Sequence, residues 1–204
     1  MSINCLSVHR CASMLMSSKE RNRLLILLKD NIMILREDLP EIIRSLRNTP
    51  RRGGLQTELQ HALLVAELSV WMASNLFDLS ECTEMIWCVA ITHDIGEVCP
   101  DLWSSISSGW CLSPAKCKMY NYVYLFTRKD GESSSEHSMR VKCEGDVIAH
   151  IVKMCDNIVN SSYTDEEKFW HNNLFGYDFS IDRDKYTGRA RDFFSIITNN
   201  TKMS

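Results

Sequence analysis

The sequence predicts an all-α protein built as one helical domain. Apolar residues recur at helical spacing over several long segments, and only four prolines and eight glycines interrupt the 204 residues. An apolar fraction of 45% and a charged fraction of 24% are ordinary for a globular chain of this length, which can bury one core. We therefore predict a single domain over residues 19–198, with residues 1–18 as a disordered N-terminus and residues 199–204 as a tail.

Helical stripes and capping signals define the individual helices. The segments predicted as helices are residues 19–37, 39–47, 57–77, 80–94, 146–160 and 189–197. Asp38 and Glu41 have capping-box spacing at the start of the second segment, and Ser80 is expected to cap the fourth.

The segments between these helices carry weaker patterns. Residues 116–128 place aromatic side chains at alternate positions, as in a strand, but we favour a helix because no other segment supplies a sheet. Residues 101–114 are predicted to form a loop with a short helical turn. Residues 129–135 are predicted as a surface turn, and residues 165–167 as the start of a short helix or turn.

Composition and charge limit the partners and the compartment. A formal charge of −3 gives no electrostatic reason to expect a nucleic-acid polymer, although a small anion remains compatible. The nine cysteines contain no Cys-x-x-Cys motif, and residues 1–16 lack the apolar core of a signal peptide, so we expect reduced thiols in the cytoplasm. No window approaches 18 uncharged apolar residues, and no membrane span is predicted.

The stretch from Ile91 to Val98 carries the strongest chemical signal. His93 and Asp94 follow an apolar run directly, and Glu97 comes one turn after His93. Adjacent side chains on a regular helix point about 100° apart, so His93 and Asp94 can reach one point only near a helix end. Gly96 is a plausible helix stop because glycine adopts the left-handed conformation at little cost.

Two further predicted helices supply partners for this pair. His61 and Asp156 complete a set of two imidazoles and two carboxylates, which suits Mn, Co, Fe or Zn, with Mg possible, better than Ca. A lone histidine on an apolar face is more often a core residue, so the case for His61 depends on its partners. Four protein ligands on a six-coordinate ion leave positions for a water, whose pKa the metal lowers, and a phosphate oxygen.

Other residue types near these ligands fit phosphate chemistry. Glu97 lies close enough to His93 to act as a base toward an attacking water. Lys153, one turn before Asp156, would place a cation beside the metal. The loop at residues 51–54 carries two cations, of which we take Arg52 as the candidate. In the functional interpretation it faces an anionic substrate, and in the alternative interpretation the loop is a solvated turn.

A large aromatic side chain could also stack on a nucleobase. Trp103 is the candidate, although a large aromatic is more often part of the core.

The ligand pattern resembles the H…HD…D signature of the HD-domain metal-dependent phosphohydrolases. Residues 60–66 are similar to the E-H-S-x-x-V-A helix of the bacterial 5′-deoxynucleotidases, residues 93–102 to their H-D-x-x-E-V…D-L stretch, and residues 152–156 to their V-K-x-x-D. The separations, 32 residues between the histidines and 62 residues from Asp94 to Asp156, also suit this family. The resemblance covers about residues 55–160.

The resemblance implies an all-α fold with four metal ligands, His61, His93, Asp94 and Asp156. It makes Glu97 and Asp101 the catalytic carboxylates and implies hydrolysis of deoxynucleoside monophosphates, with a homodimer or higher homo-oligomer as a further expectation. The chain departs from the family in three places: Gln60 replaces a glutamate, the stretch to Asp101 is one residue shorter, and the upstream Arg-Trp pair is not located.

Several alternatives stay open at this point. Phage dATP triphosphohydrolases belong to the same superfamily, and (p)ppGpp hydrolases have a similar Lys-x-x-Asp helix. A catalytically silent nucleotide-binding regulator is compatible with Gln60, although Glu97 argues against it. The remaining alternative is a helical interaction protein in which the four ligand residues coincide by chance.

Overall fold

The computed structural model describes residues 34–51, 56–110, 113–162 and 183–201. The regular structure of these residues is helical, without a β-strand and with one isolated antiparallel bridge between Pro50 and Thr57. The helices are α1 (Leu39–Asn48), α2 (Glu58–Leu76), α3 (Thr83–Thr92), α4 (Ile95–Val98), α5 (Pro100–Trp110), α6 (Pro114–Phe126), α7 (Ser134–Glu144), α8 (Val147–Ser161) and α9 (Arg183–Thr201), with a 3₁₀ turn at Ser80–Cys82. The predicted all-α class is confirmed.

Helices α2, α3 and α8 form the centre of the fold. Helix α2 packs against both α3 and α8, and α3 also contacts α8. Every residue of α3 from Ile86 to Thr92 is buried, so this helix has no solvated face in its second half. Helix α9 covers another side of α8. These contacts bring one end of α2 and α3 close to the middle of α8.

Four helix predictions are confirmed, with shifts of at most two residues at their ends. They are α1, α2, α6 and α8. Residues 116–128 had an alternating aromatic pattern, yet they form α6 because Tyr122 and Phe126 share its buried face while Tyr124 is exposed.

The prediction of a loop over residues 101–114 is wrong. Helix α5 begins at Pro100, a residue that a first helical turn tolerates, and buries Leu102, Ile106 and Trp110 along one face. The surface turn predicted at residues 129–135 ends earlier, because Ser133 and Glu136 form a capping box that starts α7.

Several predicted helix ends also differ from the structure. Asp38 is the N-cap residue of α1, but its side chain makes no capping hydrogen bond, because its carboxylate accepts from Trp110 Nε1 at 3.0 Å and pairs with Lys116 Nζ at 2.9 Å. Ser80 starts a 3₁₀ turn rather than α3. Helix α9 is longer than the predicted residues 189–197 and runs to Thr201, into the predicted tail.

Some predictions fall largely outside the described residues. These are the N-terminus at residues 1–18, most of the helix at residues 19–37 and the turn at residues 165–167. The end of that predicted helix, residues 34–37, lies in a turn instead. Within the described part of the chain, no helix has the length and apolarity needed to cross a membrane. The cysteines of these parts are free thiols: Cys82, Cys88, Cys99, Cys117, Cys143 and Cys155.

Candidate metal centre

Three helices bring the four predicted ligands to one place. His61 lies in the first turn of α2 and is fully buried. His93 follows the last residue of α3, and Asp94 precedes the first residue of α4 with backbone angles of φ −99° and ψ −1°. The helical path is interrupted between these two residues, which confirms that the pair lies at a helix end. Asp156 comes from the middle of α8 and is buried.

One ligand atom from each of these residues lies within 4.8 Å of the others. His93 Nε2 is 3.1 Å from Asp94 Oδ2, and His61 Nε2 is 3.2 Å from Asp156 Oδ1. The cross pairs are also short, since His93 Nε2 is 3.7 Å from Asp156 Oδ1 and His61 Nε2 is 3.9 Å from Asp94 Oδ2. The two imidazoles and two carboxylates therefore surround a common point.

The hydrogen bonding of His93 suits a metal ligand. Its Nδ1 donates to the Ala90 carbonyl at 2.7 Å, which fixes the ring orientation and directs Nε2 at the cluster. Nε2 is buried and has no hydrogen-bond partner, although the Asp94 carboxylate is nearby. A mixed nitrogen and oxygen donor set of this kind could hold a divalent metal ion.

Burial and mutual charge set the protonation of the group. Burial lowers the pKa of His93, but Asp94 and Asp156 outweigh this effect and raise that pKa to about 10. Burial lowers the pKa of His61 to about 4, and the nearby Arg51 adds to the shift. Burial raises the pKa of each carboxyl, but the charge of His93 beside Asp94, and of Lys153 beside Asp156, holds both pKa values below the usual range. Both carboxylates are thus in the form that binds cations, and a metal ion bound here would have to displace the proton of His93 Nε2.

Lys153 lies beside the cluster, as the sequence predicted. Its Nζ is 2.8 Å from Asp156 Oδ2 and 6.0 Å from the centre of the Phe126 ring. Burial lowers the pKa of Lys153, but the carboxylates of Asp156 and Asp94 more than offset it, so that the ammonium is retained. A half-buried, charged amine next to a candidate ligand carboxylate can bind an anion that approaches the metal.

The loop cation beside the cluster is Arg51. Its Nη1 lies 2.7 Å from Glu58 Oε2 and 3.7 Å from Asp94 Oδ2, and its Nη2 donates to Asn160 Oδ1 at 2.7 Å. The Arg51 amide also donates to the Gln56 carbonyl at 2.9 Å, next to the bridge at the base of the loop. The predicted phosphate ligand, Arg52, lies outside the described residues.

Gln60 has a local structural role. Its side chain accepts from the Thr57 amide at 2.9 Å while Thr57 Oγ1 accepts from the Gln60 amide at 3.3 Å, and this capping box starts α2. The buried acid near His61 is Glu58, three residues earlier on the same helix. Burial raises the pKa of Glu58, and Arg51 opposes that shift.

The predicted catalytic carboxylates lie in different surroundings. Glu97 is exposed, and its Oε1 accepts from the Arg128 amide at 2.9 Å. It is close enough to Lys153 to raise the pKa of that amine. Asp101 is exposed in the first turn of α5. The described part of the chain shows no hydrogen bond or ion pair between Asp101 and any of the four candidate ligands.

Trp103 packs within an aromatic cluster. Its ring centroid is 5.5 Å from that of Trp110 in an edge-on arrangement and 5.2 Å from that of Tyr120. The side chain is partly exposed, and its described partners are on α5 and α6 rather than at the ligand cluster.

Comparison with protein-family models, with curated proteins and with solved structures finds no match to this chain. The resemblance to the HD-domain phosphohydrolases therefore remains a prediction from the motifs. The four candidate ligands that carry it lie together in space, although His61 and Asp156 are 95 residues apart in the sequence.

Sequence reasoning missed two neighbours of the cluster that helical spacing could have indicated. Glu58 is three residues before His61, and Asn160 is four residues after Asp156. Residues at these separations share a helix face. A polar residue one turn from a candidate ligand is in reach to hydrogen-bond that ligand or a neighbour of it, so the spacing from His61 and Asp156 was the available signal.

Proposed function

We propose that this chain is a divalent-metal-dependent phosphohydrolase that removes phosphate from deoxynucleoside monophosphates in the cytoplasm. The proposal depends above all on one observation: the ligand atoms of His61, His93, Asp94 and Asp156 lie within 4.8 Å of one another. The donors are two imidazoles and two ionised carboxylates, which fit a divalent transition metal such as Mn, Co, Fe or Zn, or Mg. The same four residues form the family signature.

The cations next to the ligands support a phosphate substrate. Lys153 contacts Asp156 and Arg51 approaches Asp94, so each ligand carboxylate has a cationic neighbour. A phosphate monoester carries up to two negative charges and needs more than the metal to bind and orient it. We propose that Lys153 binds a phosphoryl oxygen as a point charge, while Arg51 offers a planar fork of donors.

A divalent ion in this centre would supply a nucleophile at neutral pH and neutralise charge on the phosphoryl group. Glu97 is proposed to accept the proton of the attacking water. Its Oε1 is held by the Arg128 amide, and within the described residues Oε2 has no hydrogen-bond partner. A carboxylate anchored through one oxygen keeps the other for proton transfer. Asp101 is proposed as the second catalytic carboxylate and Trp103 as the base-stacking side chain, on the family resemblance.

The experiment is a substrate panel with the full-length protein, stripped of metal and then supplied with Mn²⁺ or Co²⁺. We expect inorganic phosphate to be released from deoxynucleoside monophosphates, and no release from the metal-free protein or from Asp94→Ala. Release of triphosphate from dNTPs would instead favour a triphosphohydrolase activity like that of the phage enzymes. Release of pyrophosphate from (p)ppGpp would favour a (p)ppGpp hydrolase activity. Metal binding by the wild type without turnover of any nucleotide would contradict the enzyme proposal and favour a regulator.

A further inference from the structure

We propose that Asn160 is a positioning residue that couples the substrate-binding Arg51 to the metal ligand Asp156. This inference rests on the proposed function. The Asn160 amide nitrogen donates to Asp156 Oδ1 at 2.7 Å, and its amide oxygen accepts from Arg51 Nη2 at 2.7 Å. Asn160 therefore joins a cation on the loop after α1 to a ligand on α8.

The chemistry of the two neighbours fixes the orientation of this amide. A guanidinium group only donates hydrogen bonds, and an ionised carboxylate only accepts them. The oxygen of Asn160 must therefore face Arg51 and its nitrogen must face Asp156. A side chain at this position needs one acceptor and one donor at opposite ends of a short planar group. Aspartate lacks the donor, and leucine lacks both.

The contact with Asp156 acts on the atom that would bind metal. Oδ1 is the oxygen that lies 3.2 Å from His61 Nε2, within the cluster, whereas Oδ2 pairs with Lys153 at 2.8 Å. Asn160 and Lys153 thus hold the two oxygens separately and fix the rotation of the carboxylate. Hydrogen bonds to a ligating carboxylate orient it for the metal, and their loss commonly weakens metal binding by about 10–100-fold.

The contact with Arg51 restrains the other partner. Glu58 holds Nη1 at 2.7 Å and Asn160 holds Nη2 at 2.7 Å, so two helices fix the plane of the guanidinium. Asp94 lies 3.7 Å from the same Nη1. A guanidinium held from both sides loses little conformational freedom when it binds phosphate.

The first experiment measures Mn²⁺ affinity calorimetrically in the metal-free, full-length protein. Asn160→Ala removes both the amide nitrogen and the amide oxygen without adding bulk. It also places a good helix former near the end of α8, so folding is expected to be retained. We expect its Mn²⁺ affinity to fall about 10–100-fold. The control is Asn157→Ala on the same helix, which loses a 2.6 Å hydrogen bond to the Lys153 carbonyl and is expected to bind Mn²⁺ like the wild type.

An affinity of Asn160→Ala within twofold of the wild type would overturn the role of Asn160 and leave the metal centre intact. A wild type that binds no Mn²⁺ would overturn the metal centre itself, and with it the proposed function. If Asn160→Ala does not fold, Asn160→Leu, which is close to asparagine in size and has neither a donor nor an acceptor, decides by the same criterion.

The second experiment tests the coupling through inorganic phosphate binding to the Mn²⁺-saturated protein. We expect Asn160→Ala to weaken phosphate binding several-fold in the wild-type background. In the Arg51→Met background the same change should cost no further affinity, because the group that Asn160 orients is gone. Independent, additive losses would overturn the coupling. A purely structural role would lower the melting temperature and change neither affinity.

Discussion

Glu97 and Asp94 are three positions apart, but their substitution is predicted to have different effects on metal affinity and activity. Asp94 supplies one of the four clustered ligand atoms, whereas Glu97 is hydrogen-bonded to the Arg128 amide outside the cluster. The Glu97→Gln variant keeps an oxygen that accepts from this amide and loses only the basic carboxylate. We expect it to retain Mn²⁺ affinity and to lose activity about 10²–10⁴-fold, the usual contribution of a general base.

The matched comparison is Asp94→Ala, which should lose both Mn²⁺ binding and activity. Calorimetric titration with Mn²⁺ and phosphate release from the preferred nucleotide measure the two properties separately. If Glu97→Gln turned over at the wild-type rate, the proton acceptor would have to be another group. Asp101→Asn is then the next variant to assay.

At the scale of residues, the sequence predicted the clustered histidines and aspartates better than it predicted their neighbours. His61, His93, Asp94 and Asp156 could be chosen because a metal needs particular donor atoms, and such types are few on a buried helix face. Arg51 could not be distinguished from Arg52, since the choice depends on how the loop base is paired. The Arg51 amide donates to the Gln56 carbonyl, and no residue pattern in the loop indicates which arginine makes this pairing.

Among the elements, the junction of α4 with the end of α6 depends on a glycine. Gly96 was expected to stop a helix in the left-handed conformation, but it lies inside α4 and has no positive φ. Its role is close packing, because a Cβ at this position would overlap the Oγ1 of Thr127, which follows the last residue of α6. The Arg128 amide that holds Glu97 comes directly after this contact.

We therefore expect Gly96→Ala to destabilise the protein by about 1–3 kcal/mol, the usual cost of overpacking. The measurement is chemical denaturation of the metal-free protein. Adding Thr127→Ala removes the overlapping hydroxyl, so the double variant should recover much of the loss. A double variant no more stable than Gly96→Ala would mean that the steric contact is not the cause.

The elements that the sequence predicted well have an apolar stripe on one face or a recognisable cap. Helix α5 was missed because serines and a glycine surround its three buried residues, Leu102, Ile106 and Trp110, although their spacing of four is helical. The start of α2 has a Thr-x-x-Gln capping box formed by Thr57 and Gln60. The resemblance to the HD-domain family treats Gln60 only as a replacement for a glutamate. The hydrogen bonds with Thr57, rather than a role at the candidate metal centre, explain the glutamine at position 60.

On the scale of the whole molecule, the candidate metal centre joins α2, α8 and the end of α3. A metal that binds the folded chain and not the unfolded chain must stabilise the fold, by about 2.7 kcal/mol at a concentration 100 times Kd. For a chain of this size that corresponds to a rise of about 5–10 °C in melting temperature. Thermal melts with and without Mn²⁺ test this, and Asp94→Ala should show almost no rise. An equal rise in that variant would place the binding elsewhere.

The stability of the whole fold should also depend on pH through His137, which is distant in sequence from the four ligands. Burial lowers its pKa to about 4, with Lys153 and Arg140 adding to the shift and Glu132 opposing it. An unfolded chain takes up this proton near pH 6.5 and the folded chain only near pH 4. The free energy of unfolding therefore decreases as pH falls from 6.5 to 4, by at most about 3 kcal/mol, and this contribution is constant above that window.

Chemical denaturation of the wild type and of His137→Asn across pH 4–8 isolates this contribution. His137 interacts with the Leu125 carbonyl, and the amide of asparagine can donate to the same oxygen while it does not titrate. We expect the two proteins to show parallel stability above pH 6.5. Below it the wild type should lose stability faster, because only its unfolded state gains a proton at residue 137. Curves that stay parallel down to pH 4 would mean that His137 titrates alike in both states, and its burial would then carry no acid sensitivity.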